Sequence, residues 1–277
     1  MKNVLITGCS SGIGLTAALV LHQKGYHVLA SVRSAEDTEQ FSQYGINCIQ
    51  LDLNNSDSIK EGVEAACRYF NGRIDVLFNN GAYGQPGAVE DLQRDVLKMQ
   101  FETNVFGTQE LTNLIIAHMR QQGGGRIIYN SSVLGFVSMA YRGAYNASKY
   151  AIEGLADTLR QELVGSGIYI SLIEPGPITS QFRSNAFKQY QQHIDKEKSA
   201  HRDNYQSMEE RLTKAGPTAP FTLPPEAVVE KLLHAIESKR PKIRYYVTFP
   251  TYLFAYLKRL LPHRVMDWLI IKITQRQ

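Results

Sequence analysis

Residues 6–26 read ITGCSSGIGLTAALVLHQKGY and place three glycines between an apolar run and a segment of helical periodicity. The glycines are Gly8, Gly12 and Gly14, and apolar residues then recur at helical intervals from Leu15 to Leu21. Glycine in such a turn lets the backbone approach a pyrophosphate, whose charge then faces the first N–H groups and the dipole of the helix. The stretch therefore predicts a strand, a phosphate-binding turn and a helix, although a tight turn that only packs a helix on a strand gives the same pattern.

Further apolar runs alternate with helical patterns along the whole chain. Strands are predicted at 2–7, 27–32, 46–51, 74–79, 126–131, 168–173 and 243–247. Such alternation indicates an α/β fold, a doubly wound parallel sheet with helices on both faces. A chain of 277 residues can form this fold as a single domain. In this architecture a ligand binds beyond the carboxyl ends of the strands.

The composition is that of an ordinary globular protein, with 43% hydrophobic and 20% charged residues and three cysteines. The cysteines have no metal-like spacing, which favours free thiols in a reducing compartment and predicts no metal site. The first strand begins almost at residue 1, leaving no room before it for a signal peptide, so we expect a cytoplasmic protein. Residues 250–277 carry a net charge of +4, which equals the net charge of the whole chain, so the remaining residues have no net charge. Without a basic stripe or a nucleic-acid motif, binding to DNA or RNA is not expected.

A second chemical pattern lies in residues 126–149. Tyr145 and Lys149 are four residues apart in a helical segment, so the ammonium group lies close to the phenol and favours its ionised form. Ser132 follows the preceding strand, where its hydroxyl could donate to a carbonyl oxygen that gains negative charge. Each residue alone has an ordinary structural explanation. Together with the glycine turn, they indicate a reactive site.

This combination resembles the short-chain dehydrogenase/reductase family over about the first 250 residues. The motifs that carry the resemblance are Thr7-Gly8-x-x-x-Gly12-Ile13-Gly14, Asn104, Ser132, Tyr145-x-x-x-Lys149 and Pro175-Gly176. The resemblance implies a Rossmann-type fold, a nicotinamide cofactor and hydride transfer between the cofactor and a carbonyl or alcohol carbon.

It also implies a role for each catalytic residue. Tyr145 would protonate the carbonyl oxygen during reduction, and Ser132 would orient that oxygen. Lys149 would hold the nicotinamide ribose and lower the pKa of the tyrosine. Asn104 resembles the family's helix-kink asparagine, which seats a water that links the lysine to solvent.

The resemblance further implies a set of cofactor-binding residues. They are Gly8, Ser10, Ser11, Gly12, Ile13, Gly14, Arg33, Asp52, Leu53, Asn80, Tyr145, Lys149, Pro175, Gly176, Ile178 and Ser180. One departure from the family pattern is the order Asn-Asn-Gly-Ala at 79–82, where the family usually has Asn-Asn-Ala-Gly. This order puts the backbone path and any ribose contact there in question.

The end of the second strand bears on the choice of cofactor. An NAD site usually has a carboxylate there for the ribose 2′-hydroxyl, but this chain has Val32 followed by Arg33. Arginine can hold a 2′-phosphate through charge-assisted hydrogen bonds, with Ser10 as a second contact. The pattern favours NADP(H), while an exposed arginine without a ligand is the alternative.

The motifs Glu174-Pro175-Gly176-Pro177-Ile178 and Leu-Leu-Pro-x-Arg at 260–264 most resemble the branch that contains hydroxysteroid and retinol dehydrogenases and bacterial aldehyde reductases. The branch implies an apolar carbonyl or alcohol substrate and a homo-oligomer, a dimer or a tetramer. Residues 181–222 occupy the position of a substrate loop expected to order on binding, with Phe182, Phe187 and Tyr190 as wall residues. Two other classes of protein are alternatives: a non-catalytic NADP-binding sensor or scaffold, and an epimerase or dehydratase of a related, longer fold.

We expect the chain to consist of a dinucleotide-binding catalytic domain at 1–249 and an amphipathic helical extension, here called the tail, at 250–277. The uncharged run 245–257 is too short to span a bilayer, and helical spacing on either side of Pro262 predicts two short helices. We expect them to pack on the body and close one side of the substrate mouth. Peripheral contact with an anionic membrane is the minority alternative.

Overall fold

The computed structural model describes residues 1–216 and 219–275, so parts of the predicted substrate loop (217–218) and of the tail (276–277) lie outside the described residues. Seven parallel strands form one sheet in the order β3-β2-β1-β4-β5-β6-β7. The strands are β1 Asn3–Ile6, β2 His27–Val32, β3 Asn47–Gln50, β4 Val76–Asn79, β5 Gly125–Asn130, β6 Ile168–Glu174 and β7 Arg244–Tyr246. All seven predicted strands are confirmed, as is the single α/β domain.

Ten α-helices accompany the sheet in the described residues. They are α1 Gly12–Gln23, α2 Ser56–Tyr69, α3 Arg94–Phe101, α4 Thr108–Gln121, α5 Gly143–Glu162, α6 Phe182–His193, α7 Arg202–Thr213, α8 Glu226–Glu237, α9 Phe249–Leu260 and α10 His263–Gln275. Between β2 and β3 the chain forms a 3₁₀-helix, Ala35–Tyr44, which ends at Gly45 with φ +66°. A left-handed backbone of this kind favours glycine at the end of the helix.

The sheet is buried on both faces, which is why its strands read as continuous apolar runs. On one face, side chains such as Leu5 and Leu77 pack in a core against α2, α4 and α5. On the other face, Val4 and Phe78 pack in a core against α1 and α8. The alternation of neighbouring residues between the two cores follows from the two-residue period of a strand.

The position of a ligand site follows from the strand order. β1 pairs with β2 on one side and with β4 on the other, so the order reverses between β1 and β4. The crevice above this switch point is where an open α/β sheet binds its ligand. The loops after β1, β4, β5 and β6 all lie at this edge.

Two segments lie outside this framework. The region 181–222, predicted as the substrate loop, contains α6 and α7, which form a helical cap segment (residues 182–213) with its own apolar cluster. Tyr190 is buried in that cluster, so it packs inside the cap segment instead of lining a substrate wall. The two predicted tail helices are confirmed as α9 and α10, and Phe254 and Met266 pack in a cluster with residues 133–137 of the body.

Candidate active site

The glycine loop (residues 7–14) has the backbone that the sequence predicts. Gly8 and Gly12 have φ values of +68° and +56°, which β-carbon-bearing residues rarely adopt. A β-carbon on Gly14 would lie 2.2 Å from the Gly8 carbonyl oxygen, so helix α1 packs directly on the loop. Ser11 precedes α1 without capping it through its side chain, and the first turn carries no acidic residue. The first N–H groups of α1 can therefore hold the phosphates of a dinucleotide.

Thr7 joins the glycine loop to the loop after β4. Its hydroxyl oxygen accepts hydrogen bonds from the backbone N–H groups of Asn80 (3.0 Å) and Gly81 (2.9 Å). The Asn80 amide donates in return to the carbonyl oxygens of Thr7 (2.9 Å) and Gly8 (3.0 Å). A β-carbon on Gly8 would lie 2.6 Å from the Gly81 α-carbon. These contacts fix the backbone at 80–81 with the Gly-Ala order that departs from the family pattern.

The exposed side chains of Ser10 and Arg33 occupy the ends of neighbouring strands. Cys9 donates its backbone N–H to the Ser31 carbonyl oxygen (2.9 Å), which ties the glycine loop to the end of β2. Arg33 follows β2 directly, and no acidic residue stands beside it in the sequence from Ser31 to Ser34. The guanidinium is therefore available to an anionic group bound next to the glycine loop.

The remaining predicted cofactor residues lie around the same crevice. Asp52 and Leu53 follow β3, where Asp52 accepts a hydrogen bond from the Asn54 N–H (3.0 Å) and the Leu53 side chain is buried in the core. The Pro-Gly segment after β6 crosses close to the glycine loop, since a β-carbon on Gly12 would lie 3.1 Å from that of Ser180. The structure thus gathers the predicted cofactor residues at one edge of the sheet. Ile13, Pro175, Gly176 and Ile178 belong to these same segments.

Ser132, Tyr145 and Lys149 meet beside this crevice. Ser132 lies just beyond β5, where its hydroxyl oxygen accepts from the Leu134 N–H (3.1 Å) and lies close enough to the Tyr145 phenol to favour its ionised form. Lys149, only 5% exposed, donates to the Asn130 carbonyl oxygen (2.7 Å). Its ammonium nitrogen lies 5.6 Å from the centre of the Tyr145 ring. Two turns of α5 and the end of β5 therefore place a hydroxyl, a phenol and an ammonium group together.

Burial dominates the titration of these groups. It raises the pKa of Tyr145 above its ordinary value of 10, and the nearby Ser132 hydroxyl acts in the opposite direction. Sequence reasoning considered only the nearby cation, which lowers a phenol pKa, whereas removal from water is the larger effect here. Burial also lowers the pKa of Lys149 to about 8, against the attraction of the Glu153 carboxylate.

Asn104 lies in a π-helical turn, Glu102–Gly107, between α3 and α4, which is the helix irregularity expected of it. Its side-chain oxygen accepts from the Tyr83 N–H (3.1 Å), and its amide donates to the Tyr83 carbonyl oxygen (2.9 Å). The amide also donates to the Ser148 hydroxyl (3.0 Å), and Ser148 precedes Lys149 on α5. The Asn104 side chain thus fixes the position of the helix that carries the reactive pair.

Sequence reasoning missed an ionic cluster beneath Lys149, formed by Glu153, Asp157, Glu174 and Arg244. The Arg244 guanidinium lies 3.0 Å from Glu153, 2.7 Å from Asp157 and 3.0 Å from Glu174. Burial, reinforced by the neighbouring Glu153 carboxylate, raises the pKa of Glu174 to about 9. Glu153 follows Lys149 by four residues, a spacing that signals proximity on a helix. Nothing local in the sequence points to Arg244.

Comparisons with known proteins agree with this geometry. A family model described as short chain dehydrogenase matches residues 2–191. The chain is 42% identical over 266 residues to the uncharacterized oxidoreductase YbbO of Escherichia coli K12, covering 96% of this chain and 93% of that protein. It is 30% identical over 280 residues to the NADPH-dependent 3-dehydrocapnine reductase of Ornithobacterium rhinotracheale, covering 98% and 97% of the two chains.

A solved structure extends the likeness to three dimensions. The crystal structure of a short-chain dehydrogenase from Streptomyces avermitilis superposes with a TM-score of 0.77 at 26% sequence identity. The match covers 98% of this chain and 97% of that one. The sheet, the glycine loop and the additional C-terminal elements therefore belong to one shared architecture.

Proposed function

Since this chain belongs to the short-chain dehydrogenase/reductase family, an oxidoreductase family that uses nicotinamide cofactors, we propose that it reduces apolar aldehydes or ketones with NADPH or oxidises the corresponding alcohols. The observation that carries the proposal is the meeting of Ser132, Tyr145 and Lys149 beside the glycine loop. A hydroxyl donor, a proton source and an ammonium group lie together at the edge of the sheet where a dinucleotide binds.

The proposed chemistry divides among these side chains. When bound, the nicotinamide cofactor supplies a hydride to the carbonyl carbon or accepts one from the alcohol carbon. Ser132 donates a hydrogen bond to the substrate oxygen, and Tyr145 gives that oxygen its proton during reduction. Lys149 holds the cofactor ribose and favours the phenolate that remains after the proton has left. Asn104 keeps α5 in position and belongs to the route by which Lys149 exchanges protons with solvent.

Arg33 and Ser10 support NADP(H) over NAD(H) in this proposal. Both are exposed at the crevice edge, and Arg33 supplies a guanidinium where an NAD site supplies a carboxylate. The name of the Ornithobacterium relative, an NADPH-dependent reductase, agrees with this choice.

The surroundings of Tyr145 favour an apolar substrate. The Phe182 ring packs edge-on against the Tyr145 ring with a centroid distance of 5.2 Å. Tyr145 also belongs to the apolar cluster formed by residues 133–139 and the tail, in which Phe254 is 4% exposed. We therefore propose that residues 1–249 carry out the reaction and that the tail forms one wall of the substrate site.

The decisive experiment is a panel of apolar aldehydes, ketones, retinoids and steroids, followed by NADPH absorbance. Tyr145→Phe serves as the matched control, because it removes only the hydroxyl that gives the proton. We expect turnover with at least one class of substrate, and a loss of about a hundredfold or more in the variant. NADPH binding should be retained. Unchanged turnover in the variant would exclude Tyr145 as the acid.

The same panel separates the proposal from a non-catalytic NADP-binding sensor. A sensor would bind NADPH and turn over no member of the panel. A sensor has no need of a reactive serine, tyrosine and lysine held together, so the observed geometry favours the enzyme.

The tail also presents a solvent-facing apolar stripe on α9, formed by Tyr252, Leu253, Tyr256 and Leu260. Among the described helices, none is long and apolar enough to cross a bilayer. The stripe and the positive charge of the tail support contact with an anionic membrane as a secondary role. Truncation after Thr248 should impair turnover of long apolar substrates in solution without lipid. Normal turnover with loss of vesicle binding would favour the membrane role instead.

Two further expectations remain part of the proposal. Free cysteines at 9, 48 and 67 favour a reducing compartment, here the cytoplasm. A homo-oligomer, a dimer or a tetramer, should be visible by light scattering during gel filtration.

A further inference from the structure

Gly176, in the Pro-Gly segment after β6, lies against the start of helix α9. Its backbone is outside the left-handed region, so the conformation of the chain does not require glycine here. A β-carbon at this position would instead lie 2.1 Å from the Thr248 hydroxyl oxygen and 2.8 Å from the Thr251 hydroxyl oxygen. Both distances are too short for a real contact. The space for a side chain at Gly176 is therefore already occupied by two threonines from the C-terminal part of the chain.

The two threonines form a buried pair at the start of α9. Thr248 directly precedes this helix, and Thr251 lies in its first turn. Both residues are 0% exposed, and their hydroxyl oxygens form a hydrogen bond of 3.0 Å. The Thr251 backbone N–H also donates to the Thr248 carbonyl oxygen (3.0 Å). Because a buried hydroxyl needs a partner, these bonds fix the surface that the pair presents to Gly176.

The C-terminal part of the chain contacts this segment on both sides of Pro175. The Arg244 side-chain nitrogen Nε lies 3.0 Å from the Glu174 carboxylate. The parallel pairing of β6 with β7 also ends at Glu174. Just beyond β7, the threonine pair reaches Gly176. Residues 244–251 therefore hold the segment before and after its proline.

The same segment supports the loop that carries the reactive serine. The Ser131 backbone N–H donates to the Ile173 carbonyl oxygen (2.8 Å). The Val133 backbone N–H donates to the Pro175 carbonyl oxygen (2.8 Å). These two hydrogen bonds lie on either side of Ser132. A shift of the Pro-Gly segment would therefore move Ser132 together with the residues that face the cofactor.

We propose that Thr248 and Thr251 are positioning residues of the cofactor site, which hold the Pro-Gly segment in the conformation that binds NADP(H). This inference rests on the proposed function, because it takes Gly176 as part of that site. The segment continues to Ser180, which lies against Gly12 of the glycine loop, so its position affects the spacing of the two loops that face the cofactor. Because Thr251 belongs to α9, docking of the tail and binding of the cofactor stabilise each other.

Variants of Thr251 separate this role from simple packing. Thr251→Val keeps the shape of the side chain but removes its hydroxyl, which leaves the buried Thr248 hydroxyl without this partner. We expect the variant to bind NADPH about fivefold or more weakly in a fluorescence titration. Thr251→Ser loses a methyl group but keeps the hydroxyl, and should restore the affinity of the parent chain. Thr158→Val is the matched control, because this exposed threonine bonds to the Gly154 carbonyl oxygen of its own helix and should change nothing.

The coupling is also measured from the tail. Saturating NADPH should slow tryptic cleavage of the parent chain after Lys258, Arg259 and Arg264 by about fivefold or more, and should protect Thr251→Val less. Phe254→Ala loosens the tail where it packs on residues 133–137, away from Gly176, and should weaken NADPH binding as well. This variant keeps the test valid if Thr251→Val fails to fold.

An unchanged NADPH affinity in both Thr251→Val and Phe254→Ala would overturn the inference, as would tail cleavage that NADPH does not slow. Weaker NADPH binding by Thr251→Ser than by Thr251→Val would overturn it too, because packing alone would then explain the effect. A chain that binds NADPH and turns over the substrate panel without this coupling refutes the inference alone. A chain that binds no NADPH refutes the proposed function as well.

Discussion

Glu174→Gln tests the ionic cluster beneath Lys149. Glu174 is completely buried, and its carboxyl lies 3.0 Å from the Arg244 guanidinium. Burial and the neighbouring Glu153 carboxylate raise its pKa from 4.5 to about 9, so the folded chain holds the proton at neutral pH. Arg160 also pairs with Asp157 (3.3 Å), so with Glu174 neutral two guanidinium groups, of Arg244 and Arg160, face two carboxylates, of Glu153 and Asp157. Glutamine replaces the protonated carboxyl by a neutral group of similar shape.

The sign and size of the effect follow from proton linkage. The folded chain binds this proton more tightly than the unfolded chain, so the free energy of unfolding falls as the pH rises from about 4.5 to about 9. Each pH unit in this window costs at most about 1.4 kcal/mol, and coupling to Glu153 reduces that figure. Between about pH 6 and about pH 8, the variant should therefore gain about 2 kcal/mol relative to the parent chain. This gain corresponds to a difference in melting temperature of roughly 4 °C.

The assay is urea unfolding followed by circular dichroism at constant ionic strength, at several pH values in this window. Glu162→Gln is the control, because this glutamate is exposed at the end of the same helix α5. Its stability difference from the parent chain should not depend on pH. If the Glu174→Gln difference is also constant with pH, then Glu174 is ionised in the folded chain and the charge balance proposed for the cluster is wrong.

Three further predictions concern the cofactor and the tail. Gly14→Ala should weaken NADPH binding by about tenfold or more, because the new methyl group would lie 2.2 Å from a carbonyl oxygen of the glycine loop. Gly154→Ala is the control, because this position has open space around it and the substitution should leave the NADPH affinity unchanged. Arg33→Asp should raise the Michaelis constant for NADPH by about tenfold or more and that for NADH much less, and equal effects in steady-state kinetics would rule out a 2′-phosphate contact. Phe254→Ala should destabilise the packing of the tail by about 3 kcal/mol, measured by the protease sensitivity of the tail, and should reduce turnover of long apolar substrates. Leu260→Ala is the control, because Leu260 is exposed and its substitution should change neither quantity.

The sequence alone determined the sheet, the glycine loop and the reactive residues, because each is encoded locally. Buried parallel strands need continuous apolar runs, a phosphate turn needs glycines at set positions, and a tyrosine and lysine four residues apart must share a helix face. Residues of this kind identify themselves by their spacing within one strand–loop–helix unit. The doubly wound sheet and the Ser132, Tyr145 and Lys149 site followed from these patterns.

Only the tertiary structure decided which distant side chains surround that site. Arg244 reaches Glu153 from 91 residues away, and Asn104 anchors Tyr83 and Ser148 from separate elements. The helices of the cap segment were missed because their polar composition resembles that of a loop, and their apolar residues bury one another instead of the sheet. The pKa of Tyr145 depends on how much water the packed fold excludes, a quantity that no local spacing encodes. Packing between elements far apart in the chain therefore determines the electrostatics of the site, while local spacing determines its chemical groups.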